Sequence, residues 1–466
     1  MSRIQKTVSP VDGSVYVERP LADDALIDTT LERARRAQPD WKRRPLEERK
    51  QLASAFVDAF VAQRDAIAEE LTWQMGRPIR FAAGEVAGLE ERARTMIELA
   101  DEGLAPIRTR DKPGFDRWIQ REPHGVVFVI APWNYPYLTA VNTVVPALLA
   151  GNTVILKHSA QTPLCAERFA QAFGEAGLPE GVFQYLHLSH ADAERIIADP
   201  RVDLLAFTGS VEGGHAVEQA AAGRFIGVGL ELGGKDPAYV RADADIDQTV
   251  ETVMDGAFFN SGQSCCGIER IYLHRDIYDD FVPRAVEWVR QLRLGRPDDA
   301  ETTLGPVVRA SAANFVRDQA AEAIQQGATP MIDPTAYPLD RRGSPYLAPQ
   351  VLLDVDHSMR VMTEESFGPI VGIQRVESDE EAVALMNDSR YGLTGAIFTR
   401  DYDRGVALGQ QLDVGTFFVN RCDYLDPELA WVGVKDSGRG CTLSVIGYEQ
   451  LTRPKSFHIK HIEEAS

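Results

Sequence analysis

Residues 125–157 read GVVFVIAPWNYPYLTAVNTVVPALLAGNTVILK, and their pattern indicates the fold class. A short β-branched apolar run (125–130) precedes an apolar segment long enough for a helix (138–150) and a second short apolar run (153–157). Every residue of the first run is apolar, and so are residues 154–156 of the second, so apolar side chains occupy both faces of each run, which is typical of strands that are buried on both faces of a sheet. Strand, helix and strand in this order predict two parallel strands joined by a crossover helix.

The same alternation continues beyond this stretch. The next predicted elements are a helix at 162–176, a strand at 183–188, a helix at 191–198, a strand at 204–208, a helix at 211–222 and a strand at 226–232. The pattern predicts a parallel sheet covered by helices, in which ligands bind at the carboxyl ends of the strands. No G-x-G-x-x-G follows any of these strands, so the usual glycine fingerprint for a dinucleotide is absent.

The flanking regions predict further structure. Apolar residues at helical spacing predict helices over the first hundred residues, and the polar segment 111–122 is interpreted as a projecting hairpin or linker. The second half repeats the α/β alternation, with strands predicted at 269–275 and 396–400 and a helix at 278–292. A length of 466 residues favours more than one domain.

Composition restricts the choice of partners and compartment. The chain has 69 acidic and 49 basic residues, a net charge of -20 that disfavours nucleic acid and anionic membrane surfaces. The start, MSRIQKTVSPVDG, lacks the apolar core of a secretory signal, and the five scattered cysteines fit a reducing cytoplasm. Because no metal-ligand spacing is present, we expect a cytoplasmic protein without a metal.

Residues 258–267, FFNSGQSCCG, place two cysteines side by side. A free cysteine is most often buried and inert, which is our interpretation of Cys165, but a nucleophilic thiolate needs a base and an oxyanion donor. Glu231 in LELGGK is a candidate base and Asn134 in APWNYP a candidate amide donor. Ordinary alternatives exist for both, since Glu231 could pair with Lys235 and asparagine is a common turn residue.

Six motifs together resemble the aldehyde dehydrogenase superfamily over nearly the whole chain. In order they are PWNYP, FTGSVEGG, LELGGK, FNSGQSC, EESFGP and KDSGRG. The resemblance implies an α/β fold with a Rossmann-type parallel-sheet cofactor domain, an α/β catalytic domain and a small β oligomerisation element. The expected bounds are 1–104 and 124–231 for the cofactor domain, 232–435 for the catalytic domain, and 105–123 and 447–466 for the oligomerisation element. A homodimer or homotetramer is expected.

The resemblance also implies the reaction, in which an aldehyde is oxidised to a carboxylic acid with NAD or NADP. Cys265 holds the family's nucleophile position after G-Q-x and would form a thiohemiacetal and then a thioester. The Asn134 amide and the Cys265 N–H would hold the oxyanion, and Glu231 would activate the water that hydrolyses the thioester. Cys266 would be a replaceable neighbour.

Cofactor contacts carry over from the resemblance in the same way. The expected residues are Lys157, Trp133, Ser159, Ala160, Gly209, Ser210, Leu232, Glu365 and Phe367. Lys157 would hold the adenosine ribose, Ser210 the pyrophosphate at a helix N-terminus, and Glu365 the nicotinamide ribose. Ala160 stands where many relatives have a glutamate for the ribose 2′-hydroxyl, so NADP should be admitted.

The substrate is less well defined by the sequence. Tunnel-lining residues are expected at Tyr137, Thr139, Asn142, Tyr424 and Trp431, and no pair of arginines clearly marks a carboxylate-bearing semialdehyde. Gly440 is interpreted as replacing a glutamate that assists proton release in some relatives. Two alternatives stay open, a coenzyme A-acylating semialdehyde dehydrogenase and a thiol hydrolase or acyltransferase that uses Cys265 without a cofactor.

Overall fold

The structure, a computed structural model, describes residues 3–462. The helices are α1 (Asp24–Arg43), α2 (Leu46–Val61), α3 (Arg64–Met75), α4 (Ile79–Ala82), α5 (Gly84–Gly103), α6 (Pro136–Leu149), α7 (Pro163–Glu175), α8 (His190–Ala198), α9 (Val211–Ala221), α10 (Ile246–Phe258), α11 (Arg275–Arg290), α12 (Ala310–Gln325), α13 (Arg360–Thr363), α14 (Asp379–Asn387), α15 (Tyr402–Gly409) and α16 (Gly447–Gln450). The strands are β1 (Ile4–Val8), β2 (Val15–Pro20), β3 (Ile107–Arg108), β4 (Phe115–Pro123), β5 (Val126–Ala131), β6 (Thr153–His158), β7 (Phe183–Tyr185), β8 (Leu204–Thr208), β9 (Gly227–Glu231), β10 (Asp236–Val240), β11 (Ile268–His274), β12 (Thr329–Pro330), β13 (Gln350–Leu353), β14 (Ile370–Val376), β15 (Tyr391–Gly392), β16 (Thr394–Phe398), β17 (Thr416–Val419), β18 (Val434–Lys435), β19 (Gly438–Arg439) and β20 (Thr452–Lys460). Short 3-10 turns lie at Phe259–Gly262 and Pro334–Ala336.

The predicted strand–helix–strand unit lies at the centre of the first sheet, which has the order β19-β9-β8-β5-β6-β7. Its strands are parallel except β19, which pairs antiparallel with β9. Every residue of β5 and β6 is buried. Alternate residues of β5 belong to two different hydrophobic cores. Val127 packs in a core with α2, α5, α6 and α7, and Phe128 packs in a core with α1, α8 and α9. This two-sided burial explains the continuous apolar runs and confirms the predicted parallel sheet.

The second sheet confirms the α/β alternation of the second half. Its order is β12-β13-β14-β11-β10-β16-β17, and only β12 is antiparallel to its neighbour. The predicted strands at 269–275 and 396–400 correspond to β11 and β16, shifted by one or two residues.

A third, antiparallel sheet has the order β20-β4-β3. The segment 111–122, interpreted as a hairpin or linker, contributes most of β4, which pairs with β3 and, over all nine residues of β20, with the C-terminal tail. Ile107 and Ile459 stay exposed on this sheet.

Two sequence predictions are corrected by the structure. The first hundred residues are not all helical, because β1 and β2 form an antiparallel hairpin that turns at Gly13, whose φ is 78°. The strand predicted at 183–188 ends at Tyr185, although Leu186 and Leu188 are buried in a core. The apolar residues at 186 and 188 are therefore explained by burial in the core, and they do not extend the strand. No helix among residues 3–462 combines the length and apolar character needed to cross a membrane.

Candidate active site

Two adjoining cavities lie between the sheets, with volumes of about 270 and 240 Å³. Both are lined by Thr139, Thr208, Glu231, Cys265 and Trp431. The first cavity extends along α5 and α6, and the second runs past the carboxyl ends of β5, β8 and β9. The shared wall therefore contains the predicted nucleophile and the predicted base.

Cys265 sits in a tightly wound loop after α10. Asn260, Ser261 and Gly262 have φ values of 52°, 57° and 69°, and a side chain at Gly262 would come within 2.2 Å of the Gly368 carbonyl. The Cys265 thiol is partly exposed to the cavities, whereas Cys266 is buried. The Cys265 N–H donates to no acceptor among residues 3–462 and is free for a ligand.

Asn134 follows β5 and is held from several directions. Its side-chain Nδ2 donates to the Gln263 carbonyl (3.2 Å), which leaves the second N–H of the amide free. Its backbone carbonyl accepts from Arg77 Nη2 (2.6 Å) and Asn260 Nδ2 (3.2 Å). Arg77 forms a buried ion pair with Glu85, which also accepts from two first-turn N–H groups of α6. The amide and the Cys265 N–H thus offer two fixed donors of the kind that stabilise an oxyanion.

Glu231 ends β9 and is bound by two hydroxyl groups. Its Oε1 accepts from Thr442 Oγ1 (2.5 Å) and its Oε2 from Thr208 Oγ1 (3.0 Å). Burial raises the pKa of Glu231, and the two hydroxyls and the Arg92 charge offset only part of that effect. Lys235 is not its partner, since the ammonium instead pairs with Glu269.

The C-terminal segment reaches Glu231 through Thr442. The pairing of β19 with β9 sets Gly438 opposite Glu231 and brings this segment alongside the base. Gly440, interpreted from the sequence as the relay position, has a φ of 88° and packs against the Gln450 amide. Nothing in the sequence singles out Thr442 beyond its proximity to the KDSGRG motif.

The second cavity collects six of the expected cofactor residues: Trp133, Gly209, Ser210, Leu232, Glu365 and Phe367. Glu365 accepts from the Gly234 N–H (3.1 Å), and a side chain at Gly233 would come within 2.2 Å of the Glu365 carboxylate. Gly233 of LELGGK therefore permits this close approach, and Gly234 packs against the Cys265 carbonyl, which a side chain there would meet at 2.6 Å. Burial, with repulsion from Glu269, raises the pKa of Glu365 to about 8.

Two further features of this cavity suit a dinucleotide. The ring of Phe367, at a φ of 51°, meets Trp133 edge-on with centroids 5.6 Å apart. Ser210 caps α9 by accepting from the Gly213 N–H (3.1 Å), which directs the helix N-terminus toward the cavity.

Lys157, Ser159 and Ala160 lie outside the lining of both cavities, at the carboxyl end of β6. Lys157 is buried, forms no ion pair within residues 3–462, and desolvation lowers its pKa to about 8. Ala160 is exposed, and its carbonyl accepts from Thr7 (2.9 Å). An unpaired buried cation beside an exposed small residue fits a ribose or phosphate group.

Four of the five expected tunnel residues, Thr139, Asn142, Tyr424 and Trp431, line the first cavity. Tyr137 does not, because it is fully buried and its ring packs edge-on against Phe60 (5.0 Å). The helical period of α6 turns Tyr137 toward the core and directs Leu138 and Asn142 to the cavity.

Four charged residues that line the first cavity were not identified from the sequence: Glu91, Arg92, Asp255 and Asp423. Arg92 Nη1 donates to the Leu138 carbonyl (2.9 Å) and to Asn142 Oδ1 (3.2 Å). Arg92 could have been found from the sequence, because it is a charged residue at a position of α5 whose helical spacing places it among the buried apolar residues. Asp423, at a φ of 46°, accepts from Ser264 and Cys266, and burial raises its pKa to about 6.

Comparisons with known proteins place this geometry in context. Residues 2–457 match the model of the aldehyde dehydrogenase family. A succinate-semialdehyde dehydrogenase [NADP(+)] of Deinococcus radiodurans is 36% identical over 96% of this chain and 93% of its own length. Succinic semialdehyde dehydrogenase from Streptococcus pyogenes, solved with NADP+, superposes with a TM-score of 0.93 at 30% identity, covering 98% of this chain and 100% of that one. An NADP-dependent glyceraldehyde-3-phosphate dehydrogenase from Bacillus halodurans C-125 gives 0.92 at 32% identity, covering 99% and 96%.

Proposed function

The chain belongs to the aldehyde dehydrogenase family, and from that premise we propose the residues through which it works. As a member, it is an NAD(P)-dependent oxidoreductase that converts an aldehyde to a carboxylic acid. We assign Cys265 as the nucleophile, Asn134 as the oxyanion donor and Glu231 as the general base. The supporting observation is that all three reach one cavity wall, with the Cys265 N–H and one Asn134 N–H unused.

The chemistry follows from these positions. The Cys265 thiolate adds to the aldehyde carbon, and the Asn134 amide with the Cys265 N–H holds the resulting oxyanion. The carbonyl re-forms as the carbon loses its hydride, which leaves a thioester on Sγ. Glu231 then takes a proton from water, the hydroxide adds to the thioester, and the thiolate leaves as the acid forms. The raised pKa of Glu231 brings the base closer to working pH.

When bound, the cofactor would accept the hydride. Glu365, Phe367 and Trp133 would hold its nicotinamide end, and the α9 N-terminus at Ser210 its pyrophosphate. Lys157 would hold the adenosine end. Because Ala160 brings neither bulk nor negative charge, NADP should be accepted, and the relatives named above are described as NADP+-dependent or were solved with NADP+.

The test is cofactor reduction followed by absorbance, with wild type, Cys265→Ala and Cys266→Ala. We expect turnover to vanish in Cys265→Ala, by ~10⁴-fold or more, and to persist in Cys266→Ala. Turnover that survives in Cys265→Ala would refute the assignment. A requirement for coenzyme A would favour the acylating alternative, and ester hydrolysis without NAD(P) would favour the thiol hydrolase.

The relatives suggest a first substrate, and the third sheet suggests an assembly. Their names make succinate semialdehyde the first aldehyde to test. The sheet formed by β20, β4 and β3, with Ile107 and Ile459 exposed, is the proposed contact in a homodimer or homotetramer. Light scattering coupled to size-exclusion chromatography would give the mass, and a monomer would refute this role. The domain bounds from the sequence remain a prediction, which limited proteolysis would test.

A further inference from the structure

We propose that Arg92 and Asn142 form a carboxylate-binding subsite in the first cavity, so that the preferred aldehyde carries a carboxylate at the end remote from its aldehyde group. The proposal rests on the proposed function, since it assigns the far end of a substrate whose aldehyde carbon is attacked by Cys265. Neither residue belongs to a sequence motif that led to the reaction.

The guanidinium of Arg92 is positioned but not neutralised. Arg92 is only 8% exposed, and Nη1 is fixed by the Leu138 carbonyl and Asn142 Oδ1. Within the described part of the chain, Nε and Nη2 make no hydrogen bond, and neither atom is sealed away from accessible space. Because Arg92 lines the cavity that contains Cys265, these N–H groups are available to a ligand there.

The energetics of burial point to an anion. A guanidinium stays protonated, and an unpaired charge loses favourable solvation when it is buried. No carboxylate of residues 3–462 forms an ion pair with Arg92, and Glu85 and Glu231 act on it only at longer range. A ligand carboxylate would accept from the free N–H groups with the two-pronged geometry that arginine favours.

Asn142 provides an independent observation. Its Oδ1 is used by Arg92, and this contact fixes which end of the amide points toward α5. The remaining Nδ2 is buried and has no hydrogen-bond partner among the described residues. Asn142 also lines the cavity, so a donor that is costly to leave unsatisfied stands beside the free guanidinium.

Carboxylates in the cavity wall raise the opposite possibility, an aldehyde that carries an amine. Glu91, Asp255 and Asp423 also line the cavity. Glu91 is exposed and accepts from the Tyr424 hydroxyl (3.2 Å), and Asp423 already accepts from Ser264 and Cys266. Asp255 is exposed to solvent like Glu91, so neither carboxylate depends on a ligand cation for its solvation. Arg92 is the charged group that is both buried and unneutralised, so we favour the carboxylate.

The experiment measures kcat/KM for succinic semialdehyde, butanal and 4-aminobutanal. Wild type should prefer succinic semialdehyde to butanal by ~30-fold or more. Arg92→Met should lower kcat/KM for succinic semialdehyde by ~100-fold while changing that for butanal by less than ~3-fold, and Arg92→Lys should lose ~10-fold. Arg94→Met is the matched control, because Arg94 lies on the same helix, pairs with Asp58 and Glu90, and does not line the cavity.

Several results would overturn the subsite. One is an equal loss of kcat/KM for succinic semialdehyde and for butanal in Arg92→Met. The others are a wild-type kcat/KM ratio of succinic semialdehyde to butanal near one, and a wild-type preference for 4-aminobutanal. The wild-type ratio decides the matter even if Arg92→Met fails to fold. Failure of the proposed function looks different, since the wild type would then oxidise none of the three aldehydes, or Cys265→Ala would still oxidise butanal.

Discussion

The thiol of Cys266 donates a hydrogen bond to Asp423 Oδ1 at 3.1 Å, and the Ser264 hydroxyl donates to the same oxygen at 2.6 Å. The residues on both sides of Cys265 are thus anchored to one carboxylate of the opposite cavity wall. Cys266 therefore makes a specific contact with the cavity wall, which its interpretation from the sequence as a replaceable neighbour did not include.

From this contact we predict that Cys266→Ser retains activity within about twofold of wild type, because serine keeps the donor to Asp423. Cys266→Ala should lower kcat by about three- to tenfold, since the loss of one such bond weakens the anchoring by about 1 kcal/mol. The alkylation rate of Cys265 by iodoacetamide should fall in parallel. Equal rates for the serine and alanine variants would show that the bond does not influence the nucleophile.

Thr442→Val removes one hydroxyl that stabilises the ionised form of Glu231. The pKa of Glu231 should therefore rise further, so the pH below which deacylation slows should move upward, and the lost rate should recover as the pH is increased. Stopped-flow kinetics would show an unchanged burst of cofactor reduction followed by slower turnover. Thr442→Ser should restore the wild-type profile, and a slower burst with no shift in the pH profile would contradict the role.

Ala160→Glu should convert the enzyme toward NAD. A carboxylate there would repel the 2′-phosphate of NADP and could accept from the 2′-hydroxyl of NAD. We expect kcat/KM for NADP to fall ~100-fold and that for NAD to stay within ~10-fold of wild type. Ala160→Gln adds similar bulk without charge, so it separates charge repulsion from steric exclusion. If Ala160→Gln loses as much NADP activity as Ala160→Glu, the effect is steric and the charge argument is wrong.

Glu365→Gln should stabilise the protein without cofactor, and more so as the pH increases. The pKa of Glu365 is about 8 in the folded protein and near 4.5 in the unfolded chain. Its protonated carboxyl therefore contributes its full stability below pH 4.5, and this contribution is lost as the pH rises to about 8. The advantage of glutamine should therefore grow from pH 5 to pH 8, reaching on the order of 2–4 kcal/mol, and then level off. Glu364→Gln, at an exposed neighbour, is the control for thermal melts. An advantage that does not change with pH would contradict the shift.

The features that the sequence predicted are those determined by local pattern. The apolar runs around residues 126–131 and 153–158 required strands buried on both sides, and residues directly after parallel strands had to meet at one edge. Asn134 and Glu231 were therefore predictable as neighbours. Cys265 could be selected over Cys266 only through the family resemblance, because burial distinguishes the two thiols and burial is not visible in the sequence.

The features that the sequence did not predict depend on packing between distant elements. Arg92 reaches the cavity because Gly88 allows α5 to approach α6 so closely that any side chain at Gly88 would strike Leu138. Thr442 reaches Glu231 through pairing between strands that lie far apart in sequence. Tyr137 was assigned to the tunnel by its closeness to the PWNYP motif, whereas the helical period of α6 directs it into the core.

The pairing of β19 with β9 has a consequence for biosynthesis. On the ribosome, the strand that carries Glu231 is completed long before its last neighbour, residues 438–439, has emerged. During that interval the nascent chain presents an open sheet edge, with unpaired backbone groups that attract other strands. A chain terminated before residue 438 would keep this edge open and would lack the Thr442 hydroxyl that binds Glu231. The need for chaperones during translation should therefore be greatest while the second half of the chain is synthesised.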